Sequence, residues 1–188
     1  MPPHDRKLLT TILDNLFMRR ILPCSQQLPA ILIALLLALP TAGFAAPKTG
    51  QKYGDWTIGC NKPKGADKEI CSIEQNVLNK EGKTVVAIAI GYPPKQPEPI
   101  AIIRMPLGIL LPAGMGIKLE NGEISRAPIQ RCTKEGCIAA IKLNKDLLSN
   151  LKKGDKAQVL FAITKDRTLA ATLSLKGFTA GLSSLQKK

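Results

Sequence analysis

Two patterns cover most of the chain that follows residue 54. In some segments apolar and polar residues alternate, and in others a short run of β-branched residues lies between turn residues. A period of two is typical of β-strands with one buried face. The pattern predicts strands at residues 55–60, 70–78, 84–90, 100–105, 116–120, 123–125, 129–132, 137–143, 157–164 and 168–175.

Turn and cap residues define the other elements. Asn121 and Gly122 lie between two of the predicted strands, and this dipeptide is the strongest short-range signal for a β-hairpin. Residues 144–153 carry the one clear helical pattern, with Asn144 as the N-terminal cap and Gly154 as the stop. Residues 177–185 are expected to form a final turn or a short helix.

The order of these elements predicts the fold class. Strands follow one another without the alternating helices of a parallel sheet, and the clear helix comes late. We therefore expect an all-β domain, an antiparallel β-sandwich whose short helix covers an edge or an open end. A β-barrel is the alternative.

An apolar leader precedes this domain. Residues 28–39 are entirely apolar, follow Arg19 and Arg20, and are followed by small residues that include Gly43 and Ala45. This arrangement predicts a signal peptide over residues 1–45, with Met18 as an alternative start, and a single domain over residues 46–188. The apolar run is shorter than the roughly 20 residues of a membrane-spanning helix, so we expect no transmembrane anchor after cleavage.

Four cysteines follow the leader, and in an exported chain they predict two disulfides. Four cysteines allow three connectivities, and the sequence does not select one. Proximity favours Cys60 with Cys71 and Cys132 with Cys137. The wide first spacing disfavours a zinc site, and neither pair has the Cys-x-x-Cys spacing of redox motifs. The cysteines therefore predict a structural role and a periplasmic or secreted location.

The charge of the chain narrows the class of partner. The net charge is +13, and residues 1–45 contain four basic and two acidic side chains, so +11 remains after the leader. A basic domain attracts anionic lipids and acidic protein surfaces. Few aromatic residues follow the leader, and no stacking platform for a single strand is visible. We therefore expect an anionic envelope or host-surface component, or another protein, as the partner, and no nucleic acid.

The sequence offers little for catalysis. The only histidine, His4, lies in the leader, which excludes histidine-based relays and imidazole metal ligands from the mature domain. Ser174 and Lys176 share one face of a predicted strand and could form a Ser/Lys pair. The prediction is a non-enzymatic protein with no catalytic, cofactor-binding or metal-binding residue, and a Ser/Lys enzyme is the weaker alternative.

One apolar segment, residues 104–116, is interrupted by prolines and glycines. It is too broken for a helix and too apolar for an exposed loop. It is either a buried crossover between two sheets or an apolar lip that binds a partner or lipid, with an arginine as polar anchor. The candidate lip consists of Arg104, Met105, Leu107, Ile109, Leu110 and Leu111.

Four motifs in order carry a resemblance to a known family. They are YGDWTIGC at 53–60, MPLGILLP at 105–112, QRC with a second cysteine at 130–137, and SLKGFTA at 174–180. Together they resemble the invasion-associated locus B family. The resemblance implies a small exported bacterial protein of a family named for a member that promotes entry into host cells, with no established activity or cofactor.

The resemblance also bears on function and on single residues. It implies an interaction protein, and a periplasmic accessory protein, such as an inhibitor or assembly factor, is the alternative. It further implies that Trp56 anchors the core, that Gly108 and Gly114 adopt unusual backbone angles, and that Gly177 ends the last strand.

Overall fold

The structure is a computed structural model that describes residues 46–63 and 68–186. The predicted signal peptide lies outside the described residues. In chain order, the strands are β1 (Lys52–Tyr53), β2 (Trp56–Asn61), β3 (Ile70–Leu78), β4 (Thr84–Gly91), β5 (Ile100–Met105), β6 (Met115–Leu119), β7 (Ile124–Ala127), β8 (Ile129–Thr133), β9 (Gly136–Lys142), β10 (Lys156–Ala162) and β11 (Thr168–Ser174). The helices are α1 (Lys145–Lys153) and α2 (Phe178–Ser184), and a 3-10 turn covers Leu111–Ala113.

The strands form two antiparallel sheets. The larger sheet has seven strands in the order β1-β2-β3-β4-β5-β9-β8, and the smaller has four in the order β11-β10-β6-β7. The exposed Pro128 separates β7 from β8, and the chain passes there from the smaller sheet to the larger. The predicted β-sandwich is confirmed, and the β-barrel alternative is wrong because the two sheets do not close.

One short element was not expected. The two-residue strand β1 is too short to leave a period in the sequence, and it pairs with β2 through Tyr53 opposite Trp56. The tail, for which a final turn or a short helix was expected, forms the short helix α2. Gly177 adopts φ of 84° directly before α2, and the buried Phe178 and Leu182 hold the helix against the core.

The core lies between the inner faces of the two sheets, and Trp56 at its centre is 0% exposed. Its indole packs edge-on against Phe178 with ring centroids 5.5 Å apart. The indole Nε1 also donates to the carbonyl oxygen of Ser174 at 3.0 Å, so one side chain of the larger sheet binds the last strand of the smaller. This placement agrees with the role of core anchor that the resemblance implies for Trp56.

Gln75 makes a second polar link between the sheets. Its Nε2 donates to the carbonyl oxygen of Ser174 at 3.0 Å, and its Oε1 accepts from the backbone nitrogen of Ser174 at 2.9 Å. The side-chain amide therefore pairs with the edge of β11 as a neighbouring strand would, and it satisfies backbone groups that an edge strand leaves free.

Helix α1 has the predicted caps. The Asn144 Oδ1 accepts from the backbone nitrogen of Leu147 at 2.9 Å, and the Gly154 nitrogen donates to the Asn150 carbonyl at 3.0 Å. Leu147 and Leu151 are buried. The helix therefore closes one part of the core with its apolar face, as its pattern predicts.

Both disulfides lie in the larger sheet and join directly opposed residues. Cys60 is bonded to Cys71 between β2 and β3, and Cys132 to Cys137 between β8 and β9. This is the connectivity that proximity favours. No helix of the described ranges is long and apolar enough to cross a membrane.

Removing the first disulfide by Cys60→Ser with Cys71→Ser should lower the free energy of unfolding by about 2–3 kcal/mol, because the unfolded chain regains the entropy of an open loop. The second pair closes a sequence separation of 5 rather than 11, so its double serine variant should lose somewhat less. Urea unfolding of both variants beside the oxidised protein measures the two losses. Equal stability of all three proteins would contradict a structural role for the bonds.

Candidate functional site

Ser174 and Lys176, the residues of the weaker Ser/Lys alternative, share no hydrogen bond between their side chains in the structure described for residues 68–186. The Ser174 hydroxyl donates to the Asp55 carboxylate at 2.6 Å and accepts from the backbone nitrogen of Lys176 at 3.3 Å. The Lys176 side chain is exposed and does not line the cavity of about 480 Å³ beside Ser174. The serine therefore ties the end of β11 to the turn before β2, a structural use of the hydroxyl.

The segment that contains the candidate lip connects the two sheets, from β5 to β6. Met105 and Ile109 are buried in the core, whereas Leu107 and Leu111 are 56% and 50% exposed. The backbone nitrogen of Leu110 donates to the carbonyl of Ala162 at 2.7 Å and fixes the segment against β10. The crossover and lip interpretations thus each describe part of the segment, and binding at the exposed leucines stays a prediction.

The glycines of this crossover have the backbone angles that the resemblance implies. Gly108 adopts φ of 83° and Gly114 adopts φ of 65°. A Cβ at Gly114 would also press on the carbonyl oxygen of Ala127. Glycine at 114 therefore allows the crossover to lie directly on the end of β7.

Arg104, the predicted polar anchor of the lip, is exposed on the outer face of β5, where it lies near Glu135. It lines a small cavity of about 220 Å³ together with Val85, Pro106 and Glu135. A hydrogen bond from the Thr133 hydroxyl lowers the pKa of the Glu135 carboxyl, with smaller contributions from a backbone hydrogen bond and the Arg104 charge. This end of the outer face therefore carries two opposite charges at neutral pH.

The outer face of the larger sheet is apolar around Ile102, and the exposed Arg104 follows in the same strand between Ala87 and Ile138. In cross-strand register, Ala89 lies opposite Ile102, and Ile102 lies opposite Ala140. Ile102 is 51% exposed, and its neighbours on this face are half-buried. We call this set the outer strip, and it consists of Ala87, Ala89, Ile100, Ile102, Ile138 and Ala140.

A groove of about 360 Å³ opens at one end of the outer strip. Tyr92, Pro93 and Pro94 form one wall, and Ile100 and Ile102 of the outer strip line it as well. Burial raises the pKa of the Tyr92 phenol above its ordinary value of 10.0, so this wall is uncharged at neutral pH. The groove therefore presents a largely apolar concave surface, the usual setting for binding.

A cluster of potential metal ligands lies near this groove, formed by Cys60, Glu69 and Cys71. Its two sulfur atoms are bonded to each other, and metal binding by cysteine requires the thiolate. The cluster therefore does not fit a metal ion while the disulfide is formed.

The groove residues are absent from the candidates that the sequence suggested. Tyr92, Pro93 and Pro94 belong to a proline-rich stretch that predicts only a break between strands. The sequence of β5 does contain a signal for the groove. Ile100 and Ile102 make the outer face of this strand apolar in addition to its inner face. A strand with two apolar faces in an antiparallel sheet either is covered on both sides or leaves one apolar face open.

Comparisons with known proteins agree with the resemblance. The family model described as Invasion associated locus B (IalB) protein matches residues 56–186. Two proteins named Invasion protein B homolog, from Brucella abortus strain 2308 and from biovar 1 strain 9-941, are each 26% identical over 163 residues, covering 82% of this chain and 87% of theirs.

A solved structure has the same fold. The crystal structure of invasion associated protein b from Bartonella henselae superposes with a TM-score of 0.66 at 22% identity. The match covers 74% of this chain and 95% of that chain. The two-sheet architecture is therefore shared with a protein of low sequence identity.

Proposed function

Because this chain belongs to the invasion associated locus B family, we propose that it is an exported binding protein without catalytic activity that works in the bacterial periplasm or at the cell surface. The two disulfides support an oxidising compartment. The partner is an envelope or host-surface component, and the net charge of +11 that remains after the leader favours an anionic one.

The observation that carries this proposal is the outer strip with its groove. Apolar area on the outside of a sheet is expensive to leave in water, and contiguous exposed patches mark interaction sites. Ile102 at the centre of the strip is 51% exposed, beside a groove that has one uncharged wall formed by Tyr92, Pro93 and Pro94. A binding surface explains this arrangement better than solubility or folding does.

A photo-crosslinking residue at position 102 of the exported protein, expressed in its native bacterium, tests the proposal. We expect one discrete adduct, because a bound partner would lie over the outer strip. The matched control places the same residue at position 170, since Ala170 is also exposed but lies on the outer face of the smaller sheet. Equal labelling at both positions, or none at position 102, would contradict the proposal.

In the accessory-protein alternative, the outer strip contacts a different class of partner. An inhibitor or assembly factor would bind an envelope protein of the bacterium itself, and its adduct would form in bacteria grown without host cells. An adduct that forms only in the presence of host cells supports the host-surface partner. Mass spectrometry of the adduct separates the two.

A further inference from the structure

We propose that two copies of this chain pair along the open edge of β11, so that their smaller sheets join into one continuous antiparallel sheet. β11 is the last strand of the smaller sheet, and β10 is its neighbour on one side alone. The inference goes beyond the proposed function, because the outer strip lies on the larger sheet. A pair of chains would present two outer strips together.

The first observation is that β11 lacks the protection that the other sheet edges carry. Proteins usually block the unpaired backbone of an edge strand with short length, charge, proline or a bulge. β1 has two residues and includes Lys52, and β8 includes Arg131 beside a register shift. β7 has four residues, includes Arg126 and is followed by Pro128. β11 has seven residues, TLAATLS, in unbroken register and without a charge or a proline.

The second observation is which backbone groups of β11 face its open edge. The Leu175 nitrogen donates to the Asp155 carbonyl at 2.9 Å, and the Ile163 nitrogen donates to the Arg167 carbonyl at 2.9 Å. The odd-numbered residues at both ends of β11 therefore bond the flanks of β10, and alternate residues of a strand direct their backbone groups to opposite sides. The backbone groups at the open edge are those of Thr168, Ala170, Thr172 and Ser174.

Gln75 already uses one of these positions, because its side-chain amide pairs with the backbone of Ser174. The other three are Thr168, Ala170 and Thr172, and no hydrogen bond within the described ranges reaches their open side. They form a row of donors and acceptors with the spacing of a strand. An extended chain that adds to the sheet satisfies such a row in register.

The open row is complementary to itself. Opposed residues of an antiparallel pair can exchange both of their hydrogen bonds. A two-fold axis at Ala170 places Thr168 opposite Thr172 of the second copy, so that every open group of both chains is paired. An axis one residue later would bring Thr168 against Ser174, which Gln75 occupies. An axis one residue earlier would bring Thr172 against the turn before β11, so the axis at Ala170 is the register that uses the whole row.

The side chains of β11 fit the same register. On the outer face threonine lies opposite threonine, which is a favourable cross-strand pair. Ala170 at the axis is exposed and small, so its two copies can lie side by side. On the inner face Leu169 lies opposite Ala171 of the second copy, and a large side chain meets a small one. The register that the backbone selects is therefore also free of steric conflict within the strand.

The end of β11 beside Gln75 leaves space for the second chain. The cavity of about 480 Å³ is lined by Ser174 and by residues 75–78 of β3, among others. In the proposed register, the turn formed by residues 165–167 of the second copy lies beside Ser174, at this cavity. Lys52 and Asp55 line the cavity, and the turn also contains both signs of charge, so local charge does not oppose the contact.

The size and charge of the interface predict how the dimer behaves. One pair of strands is a small interface, so we expect a concentration-dependent dimer rather than an obligate one. Two chains that each carry +11 repel one another, and salt screens this repulsion. Added salt should therefore strengthen the dimer, whereas it should weaken the binding of an anionic partner. The two contacts thus respond in opposite directions to the same change.

Disulfide crosslinking of the exported protein tests the register. Ala170→Cys places two cysteines at the axis, where opposed Cα atoms lie about 5.5 Å apart, within the range of a disulfide. With oxidised glutathione as the oxidant, we expect a dimer on a non-reducing gel. Thr172→Cys is the matched control, because it lies on the same exposed face but opposite residue 168 of the second copy. It should crosslink when mixed with Thr168→Cys and not alone.

Ala170→Lys tests the dimer without a new cysteine. The side chain is exposed, and the axis would bring two ammonium groups together, so the Kd of the dimer should rise roughly tenfold or more. Ala180→Lys adds the same charge at an exposed position of α2 and should leave the Kd unchanged. Sedimentation at several concentrations measures the Kd. Both variants should unfold within about 2 °C of the unchanged protein, which excludes a folding defect.

Three results would overturn the inference. They are a monomer at every concentration up to about 500 µM, equal crosslinking through Thr172→Cys alone and Ala170→Cys, and a dimer that Ala170→Lys does not weaken. In a dimer, a photo-crosslinker at position 170 labels the same chain, and the mass of this adduct separates it from a partner labelled at position 102. A partner adduct at position 102 of a protein that stays monomeric would remove this inference and leave the proposed function standing.

Discussion

Replacing Gly177 by alanine is expected to remove about 3–5 kcal/mol of folding free energy and to lower the unfolding temperature by about 10 °C or more. Gly177 adopts φ of 84°, where a side chain is strained. A Cβ there would also overlap the carbonyl group of Tyr53. The overlap involves backbone atoms, which cannot move aside as a flexible side chain can.

The opposing segment has the same requirement. Gly54 adopts φ of 57°, and its Cβ would overlap the carbonyl oxygen of Lys176. The Asp55 nitrogen donates to that same oxygen at 3.1 Å. The turn before β2 and the turn after β11 therefore pack backbone against backbone, and each needs a glycine.

Gly122→Ala is the matched control for Gly177→Ala. Gly122 adopts φ of 85°, almost the same angle, but a Cβ there would meet nothing within 4 Å. The control should lose only about 1–2 kcal/mol for the backbone conformation. Urea unfolding of both variants gives the difference, which measures the overlap alone. Equal losses would show that the close approach of the two turns contributes nothing to stability.

Replacing Trp56 by alanine should destabilise the domain by about 3–5 kcal/mol, the range for removing a large buried aromatic side chain. The indole is 0% exposed, packs on Phe178 and donates to the Ser174 carbonyl. Its loss leaves a cavity where the two sheets and α2 meet. Chemical unfolding of the variant, followed by circular dichroism, measures the change.

Trp56→Phe separates packing from hydrogen bonding. The variant retains an aromatic ring beside Phe178 and loses the indole donor. The Ser174 carbonyl keeps its bond from Gln75 Nε2 at 3.0 Å, so it is not left without a partner. The loss should therefore be only about 1–2 kcal/mol. A loss as large as that of Trp56→Ala would indicate that the phenyl ring beside Phe178 contributes little, and that the stabilisation comes from the part of the indole that carries the Nε1 donor.

The larger elements of the fold could be predicted from the sequence because their periodicity is local. The predicted strands at residues 70–78 and 100–105 have the same bounds as β3 and β5, and the helix differs at its first residue alone, which is the cap Asn144. Short elements could not be predicted, because they are too short to show a period. Examples are β1 and the 3-10 turn Leu111–Ala113, which leave no repeat in the chain.

The candidate site could be predicted less well from the sequence than the fold. Hydrophobicity showed that residues 104–116 are apolar, but it did not show that Ile109 faces the core while Leu107 faces water. The proline-rich stretch predicted a chain break, whereas the groove depends on Pro93 and Pro94 lining it together with Ile102. That relation arises only when β2, β3, β4 and β5 pair, because the groove is lined from all four strands.

For the exported protein proposed above, the position of the disulfides bears on how the two bonds form. Each of the four bonded cysteines is joined to its neighbour in the sequence, across separations of 11 and 5 residues. A chain delivered from its N-terminus presents Cys60 and Cys71 before the second pair, and short loops close readily. An oxidase that links cysteines in their order of arrival therefore makes the native bonds at once. Maturation then needs no exchange of mispaired thiols, the slow step when bonds must be reshuffled.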